Sequence, residues 1–252
     1  MQDPFLSQRR MLLISNSYAY RKTYLEHVLD IIGAFLLDAR RVTLLPFADC
    51  QNINKLAITA ESAFKKIGKK ILNLNRFHPT DMPSAIAESE AIFVAGGNTW
   101  WLTEHLQRYQ LLDPIRNRVN QGMPYIGVSA GSIVACPEMR TTNDTAITWL
   151  PSPITLGIFP HQINPHYYDP DPGSTHQGES RATRMIEFTN KNPDKAVIGL
   201  RENCWIVVNH GKAALRSNNN VTCPIFLNGK VYGYWQPGPV PIDLSAKEIK
   251  LP

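Results

Sequence analysis

Cysteine is scarce in this chain, and its spacing is poor for chemistry. Cys50, Cys136, Cys204 and Cys223 lie far apart and form no C-x-x-C pair. That argues against a zinc ribbon or a disulfide framework and leaves buried or free thiols as the expectation. Long hydrophobic runs are missing as well: no stretch approaches the ~18 apolar residues that span a bilayer. Residues 1–10 are polar and charged where a secretory signal would carry an apolar segment. Cytoplasmic residence and no membrane partner are therefore expected, and the sequon matches at Asn143 and Asn220 carry no weight. Basic arms with interleaved aromatics are absent too. The net charge of +5 is scattered, with Lys65-Lys66 and Lys69-Lys70 as its one cluster, so nucleic acid is not an expected partner. Linkers, low-complexity tracts and internal repeats are lacking, and 1–252 reads as a single domain. Its 252 residues, 43% hydrophobic and 19% charged, suffice for a sizeable core.

What is present is an alternation of strand-like and helix-like segments. Strands are predicted at Met11 to Ser15, Arg41 to Phe47, Lys70 to Leu74, Ala91 to Ala95 and Tyr125 to Val128. Between them, helical spacing runs over Tyr24 to Leu37, Asn54 to Ile67, Thr99 to Tyr109 and Asp113 to Asn120. Such alternation implies an α/β fold with a mostly parallel sheet and helices on both faces, with the active site at the carboxyl ends of the strands. After residue 137 the chain reads as proline-rich loops, then a helix at Ser180 to Asn190 and a buried strand at Ala196 to Leu200. Four further strands follow, the last two joined by an Asn228-Gly229 hairpin turn. This tail is expected to extend the sheet or to form a small antiparallel layer.

Gly127-Val128-Ser129-Ala130-Gly131 carries the chemistry. It fits G-x-S-x-G directly after a strand, the pattern of a nucleophile elbow that exposes Ser129 at a sharp strand-to-helix turn. A serine nucleophile needs a base and a group to orient it. Of seven histidines, His161, His166 and His176 lie in the proline-rich stretch after the elbow; Pro165 restricts the backbone before His166, as a fixed catalytic loop requires, although a solvated loop residue is the default reading of any one of them. Two carboxylates compete to orient the base. Glu202 follows a strand and sits where its carboxyl end opens onto the site. Asp144 fits the Ser-Asp-His chain order of α/β-hydrolases. Gly96-Gly97-Asn98 follows another strand, and its amides, with those after Ser129, suit an oxyanion hole. Arg181 opens a helix and is able to hold a substrate carboxylate through a bidentate contact. A metal reading would group His161, His166 and His176 with Asp169 and Asp171, but those spacings match no zinc motif, and no metal or other cofactor is expected.

Taken together, AGGNT (95–99), YIGVSAGSIVACP (125–137), TTND (141–144), INPHY (163–167), HQGESRATR (176–184) and VIGLREN (197–203) resemble the peptidase E family of α-aspartyl dipeptidases. The match runs in order from LLISNS (12–17) to the strand at 205–209. The resemblance implies a class I glutamine-amidotransferase-like (flavodoxin-like) three-layer sandwich. It implies Ser129 as nucleophile, His166 as general base, and Glu202 or Asp144 as the acid. It also implies Gly97, Asn98 and Ala130 around the oxyanion, and Arg181 on the substrate's aspartyl side chain. The implied partner is a small Asp-X dipeptide, and the protein a monomer or homodimer. Val128 stands where the family has tryptophan, the run Arg201-Glu202-Asn203-Cys204 departs from the family's acid-glycine-asparagine, and Thr148 to Pro153 is an insert. The alternatives are a cyanophycinase-like or broader aminopeptidase of the same fold, and a non-catalytic binding protein.

Overall fold

The computed structural model describes residues 3–171, 173, 175, 177–238, 242–244 and 249. In chain order the elements are β1 (Met11–Ile14), α1 (Leu29–Leu36), β2 (Arg41–Leu45), α2 (Ile53–Lys66), β3 (Lys70–Asn73), α3 (Met82–Ala87), β4 (Ile92–Val94), α4 (Thr99–Arg108), α5 (Leu112–Asn120), β5 (Tyr125–Val128) and α6 (Ala130–Val134). They continue with β6 (Gln162–Tyr167), α7 (Arg181–Lys191), β7 (Val197–Arg201), β8 (Cys204–Asn209), β9 (Lys212–Ser217), β10 (Cys223–Leu227), β11 (Lys230–Trp235) and β12 (Ile242–Asp243).

The result is a mixed α/β fold with two sheets. The larger runs β12-β9-β8-β1-β5-β4-β2-β3 and the smaller β11-β10-β7-β6. Strands β1, β5, β4, β2 and β3 pair in parallel, while β8, β9 and β12 join antiparallel. The tail thus takes both of the expected courses: β8 and β9 extend the large sheet, and β10 and β11 build the small one. Within β1, Met11 and Leu13 enter one hydrophobic cluster and Leu12 and Ile14 the other, so both faces of the strand are covered. That is why the parallel strands read as continuous apolar runs rather than alternating ones. Helices α1 and α2 cover one face. Helices α3 to α6 share the other with the inner side of the small sheet, and α7 packs Met185 on the small sheet's far side against Val197 and Phe226.

Two expectations are corrected. The helix expected over 24–37 is confined to Leu29–Leu36, because Leu25 takes φ 58° and donates its amide to Ser17 O at 2.7 Å, a conformation no helix accommodates. The stretch expected to be loop around His166 is strand β6. Proline is tolerated there because β6 is an edge strand whose one neighbour is β7.

A partly buried ion cluster ties the chain after α6 to the connection between α7 and β7. Glu138, 8% exposed at its side chain, accepts hydrogen bonds from Arg140 Nε at 2.7 Å and Lys195 Nζ at 2.8 Å. Burial alone would push its carboxyl up, but the two cations outweigh burial and hold it below the usual carboxylate range. A depressed carboxylate adds stability above its unfolded value, about 4.3, and loses it as pH falls through its lower folded value. Glu138→Gln is therefore expected to cost about 2 kcal/mol at pH 7. Urea unfolding should show the gap to wild type closing as pH falls below about 4. A gap that stays constant down to the acid limb counts against this account.

Candidate active site

Ser129 stands between β5 and α6 at φ 52°, ψ −111°, a region non-glycine residues rarely occupy. The turn is tight because two glycines let backbone meet backbone. A Cβ on Gly127 would lie 2.4 Å from Gly131 O, and one on Gly131 would lie 2.2 Å from Val94 O. The Ser129 amide is anchored to Ile14 O at 2.9 Å, and the Ser132 hydroxyl lies between two carbonyl acceptors, 2.8 Å from Ile14 O and 2.9 Å from Gly127 O. The side chain of Ser129 is left at the carboxyl end of the parallel strands.

His166 reaches it from the small sheet. The β6–β7 register slips between Pro165 and Tyr167, so His166 is the extra residue of a bulge, at φ 53°. A bulge re-aims one side chain out of the alternation, and here it brings His166 Nε2 to 3.0 Å from Ser129 Oγ. On the other side of the ring, Nδ1 lies 2.8 Å from Glu202 Oε1. Glu202 occupies the two-residue turn between β7 and β8, next to Asn203 at φ 61°. Its carboxylate remains 55% exposed and the His166 side chain 37%, so this pair is open to solvent.

These groups line a cleft of about 500 Å³ with Ile133, Thr142, Asn143, Asp144, Pro165, Tyr167, Tyr168 and Arg181. Arg181 is the first residue of α7, whose N-cap Ser180 accepts from Thr183 N. Its guanidinium donates to Pro165 O at 3.2 Å and lies 4.8 Å from the centre of the Tyr168 ring. Among the described residues it has no carboxylate partner. Burial pushes the Tyr167 phenol up to about 12. The glycine strip after β4 closes the other side: a Cβ on Gly96 would lie 3.0 Å from Ser129 Cβ. Among the described residues the amides of Gly97 and Ala130 have no hydrogen-bond acceptor.

The family model for peptidase family S51 matches residues 11–216. Peptidase E of Streptomyces coelicolor is 42% identical over 206 residues, covering 81% of this chain and 83% of its own. A Drosophila melanogaster protein named probable alpha-aspartyl dipeptidase is 39% identical, covering 85% and 89%. The crystal structure of a peptidase from an acI-B1 Actinobacterium superposes with a TM-score of 0.66 at 13% identity, over 94% of this chain and 98% of that one, and so shares the fold.

The chain belongs to peptidase family S51.

In this S51 peptidase the two candidate acids are placed differently. Asp144 makes no hydrogen bond to His166. Its Oδ2 accepts from Thr99 N at 2.7 Å, Thr99 Oγ1 at 2.6 Å and Thr142 Oγ1 at 3.0 Å, so it braces the start of α4. Asn98 is committed as well: its amide donates to Ala48 O at 2.8 Å and its Oδ1 caps Trp101 N. That leaves Gly97 and Ala130, of the three expected oxyanion residues, with amides available. Val128 is fully buried among residues facing α1 and α2 and does not line the cleft. The insert at 148–153 also lies outside the cleft, with Trp149 91% exposed. His161 flanks β6, its imidazole pushed down to about 4 by burial, and His176 lies outside the described residues.

Two polar residues at the end of β1 were not singled out from the sequence. Ser15 Oγ donates to Leu200 O at 2.9 Å and accepts the His166 amide at 2.9 Å. Asn16 Oδ1 accepts the Asn203 amide at 2.8 Å. The signal available was small polar residues at the carboxyl end of a buried apolar run. Because Asp144 is bound to backbone and hydroxyl donors at a helix start, Asp144→Ala is expected to lower stability by about 1–2 kcal/mol. Denaturant unfolding measures this, and an unchanged midpoint would remove Asp144 from that role.

Proposed function

We propose that this S51 peptidase is a serine dipeptidase that releases an N-terminal aspartate from Asp-X dipeptides. The observation that carries the reading is the continuous line from Ser129 Oγ through His166 to Glu202, at 3.0 and 2.8 Å, beside an arginine without a carboxylate partner. In this reading the turn at Ser129 is a nucleophile elbow in a class I glutamine-amidotransferase-like fold. The name of the Drosophila relative lends support to the aspartyl preference.

The chemistry follows from the geometry. His166 Nε2 takes the proton of Ser129 Oγ as that oxygen attacks the peptide carbonyl. Glu202 holds the ring so that Nε2 faces Ser129, and it stabilises the imidazolium that forms. The negative charge that builds on the carbonyl oxygen is met by the amides of Gly97 and Ala130, already oriented before the reaction. The imidazolium then protonates the leaving amine, the C–N bond breaks, and an acyl-Ser129 ester remains. Water enters and loses a proton to His166 as it attacks the ester carbonyl; the imidazolium then returns that proton to Ser129 Oγ as the C–O bond breaks, releasing aspartate and restoring the free hydroxyl. Arg181 selects the substrate by pairing with its aspartyl carboxylate, a charge-assisted contact made without first breaking an internal ion pair.

Hydrolysis of Asp-Leu tests the reading. Ser129→Ala is expected to lower kcat by about 10⁴-fold or more, and Glu202→Gln by about 10²-fold or more. Equal rates in wild type and Ser129→Ala would sink it. Arg181→Met is expected to lower kcat/KM for Asp-Leu by about 10²-fold, with little change for dipeptides that lack the acidic side chain. A uniform loss across such a panel would remove Arg181 from substrate selection.

A further inference from the structure

Two consecutive tyrosines stand at the end of β6, and each carries an arginine on its ring. Arg201 lies 5.2 Å from the centre of the Tyr167 ring, and Arg181 lies 4.8 Å from the centre of the Tyr168 ring. The first pair is closed within the chain. Tyr167 is buried, and Arg201 donates to Asp169 Oδ2 at 2.6 Å and to Thr222 O at 2.8 Å. The second pair is open. Tyr168 is 60% exposed, and the Arg181 guanidinium makes one hydrogen bond among the described residues, to Pro165 O at 3.2 Å. A guanidinium carries five N–H donors in a planar fork, so most of its donors are left free.

The carboxylates of this segment are engaged elsewhere. Asp169 holds Arg201, Asp171 accepts the Gly173 amide at 2.9 Å, and Glu179 faces Arg184 at 3.5 Å. Tyr168 and Arg181 are also the two residues common to the cleft of Ser129 and an adjoining cavity of about 400 Å³, whose walls include Asp171 and Glu179. An arginine side chain has several rotatable bonds, and a swing toward Asp171 and Glu179 would take its charge out of the cleft. The ring of Tyr168 opposes that swing, because a cation within about 6 Å of an aromatic centre is attracted to the ring face. Stacking occupies the flat face of the guanidinium and leaves open the edge along which its donors point.

We propose that Tyr168 is a positioning residue for substrate selection: its ring holds the Arg181 guanidinium on the cleft side, with the Pro165 carbonyl as the second fixed point, so that the free N–H edge meets the substrate's aspartyl carboxylate. The assignment rests on the dipeptidase reading and on Arg181 as its selecting cation. Pro165 immediately precedes His166, so the carboxylate site and the base are set from adjacent residues. An arginine already held in place loses less rotamer freedom on binding than a free one, which is where the gain in affinity arises.

A double-mutant cycle on the full chain separates this role from packing. Tyr168→Leu is expected to raise KM for Asp-Leu about fivefold with kcat unchanged, whereas Tyr168→Phe, which keeps the ring face, stays within about twofold of wild type. In a chain already carrying Arg181→Met, Tyr168→Leu should change kcat/KM by less than about twofold, because the cation it orients is gone. An equal loss in both backgrounds overturns the proposal, since Tyr168 would then touch the substrate itself or support the fold. Tyr168→Phe behaving like Tyr168→Leu overturns it as well. Calorimetric titration of Asp-Leu into the full chain carrying Ser129→Ala reads the contact without turnover. Adding Tyr168→Leu should weaken Kd about fivefold, and an unchanged Kd counts against the proposal. If wild type fails to cleave Asp-Leu while Kd keeps its dependence on Tyr168, the dipeptidase reading falls and the positioning role stands. If Asp-Leu does not bind, both fall.

Discussion

The hydroxyl of Ser15 is the joint on which the site depends. It lies at the end of β1 in the large sheet, yet both of its hydrogen bonds go to the small sheet, to Leu200 O and the His166 amide. A buried hydroxyl with one donor and two acceptor positions can bridge two strands in this way and stay satisfied. Next to it, Asn16 holds the turn that carries Glu202. The proposed base and its acid therefore hang from one dipeptide, while Ser129 is fixed to Ile14 O, one residue before it. Three groups from distant parts of the chain are referred to the same few atoms at the end of β1. That is how ångström-scale alignment is achieved between elements that do not share a sheet.

Two backbone conformations are held against their own preference at this joint. Ser129 at φ 52° and His166 at φ 53° each cost on the order of 1–3 kcal/mol for a residue with a Cβ. The surroundings impose them. Gly127 and Gly131 bring α6 so close to β5 and β4 that Ser129 has to turn outward. The β6–β7 ladder closes on either side of His166 and leaves it as the residue with no place in the register. Strain is stored in the two residues whose side chains meet, and the cores on both sides of the large sheet hold it there.

The apolar runs at Met11, Arg41, Ala91 and Tyr125 were legible as buried strands because both of their faces are covered. Boundaries moved by a residue or two. The helix after β1 was overestimated, because spacing cannot reveal that Ser17 O pulls the Leu25 amide out of helical geometry. Strand β6 was hidden by Pro165, which opposes strand structure except at an edge, and edges exist only once the sheet is assembled. The G-x-S-x-G pattern pointed to Ser129 from local chemistry; Pro165 drew attention to His166, but its role as base came from the family resemblance. The choice between Asp144 and Glu202 was not legible. Both are acidic residues near loops, and their distances to an imidazole on another element depend on how two sheets dock.

The order of residues therefore determined which segments are buried, where a tight strand-to-helix turn forms, and to which family the chain belongs, because burial pattern and turn chemistry are local properties. Tertiary structure alone decided that Asp144 braces α4 while Glu202 meets His166, that Asn98 spends its amide on Ala48, and that Ser15 joins the sheets. Each of these is a contact between groups tens or hundreds of residues apart. A hydrogen bond extends only about 3 Å, so no spacing along the chain records it until the fold has brought its ends together.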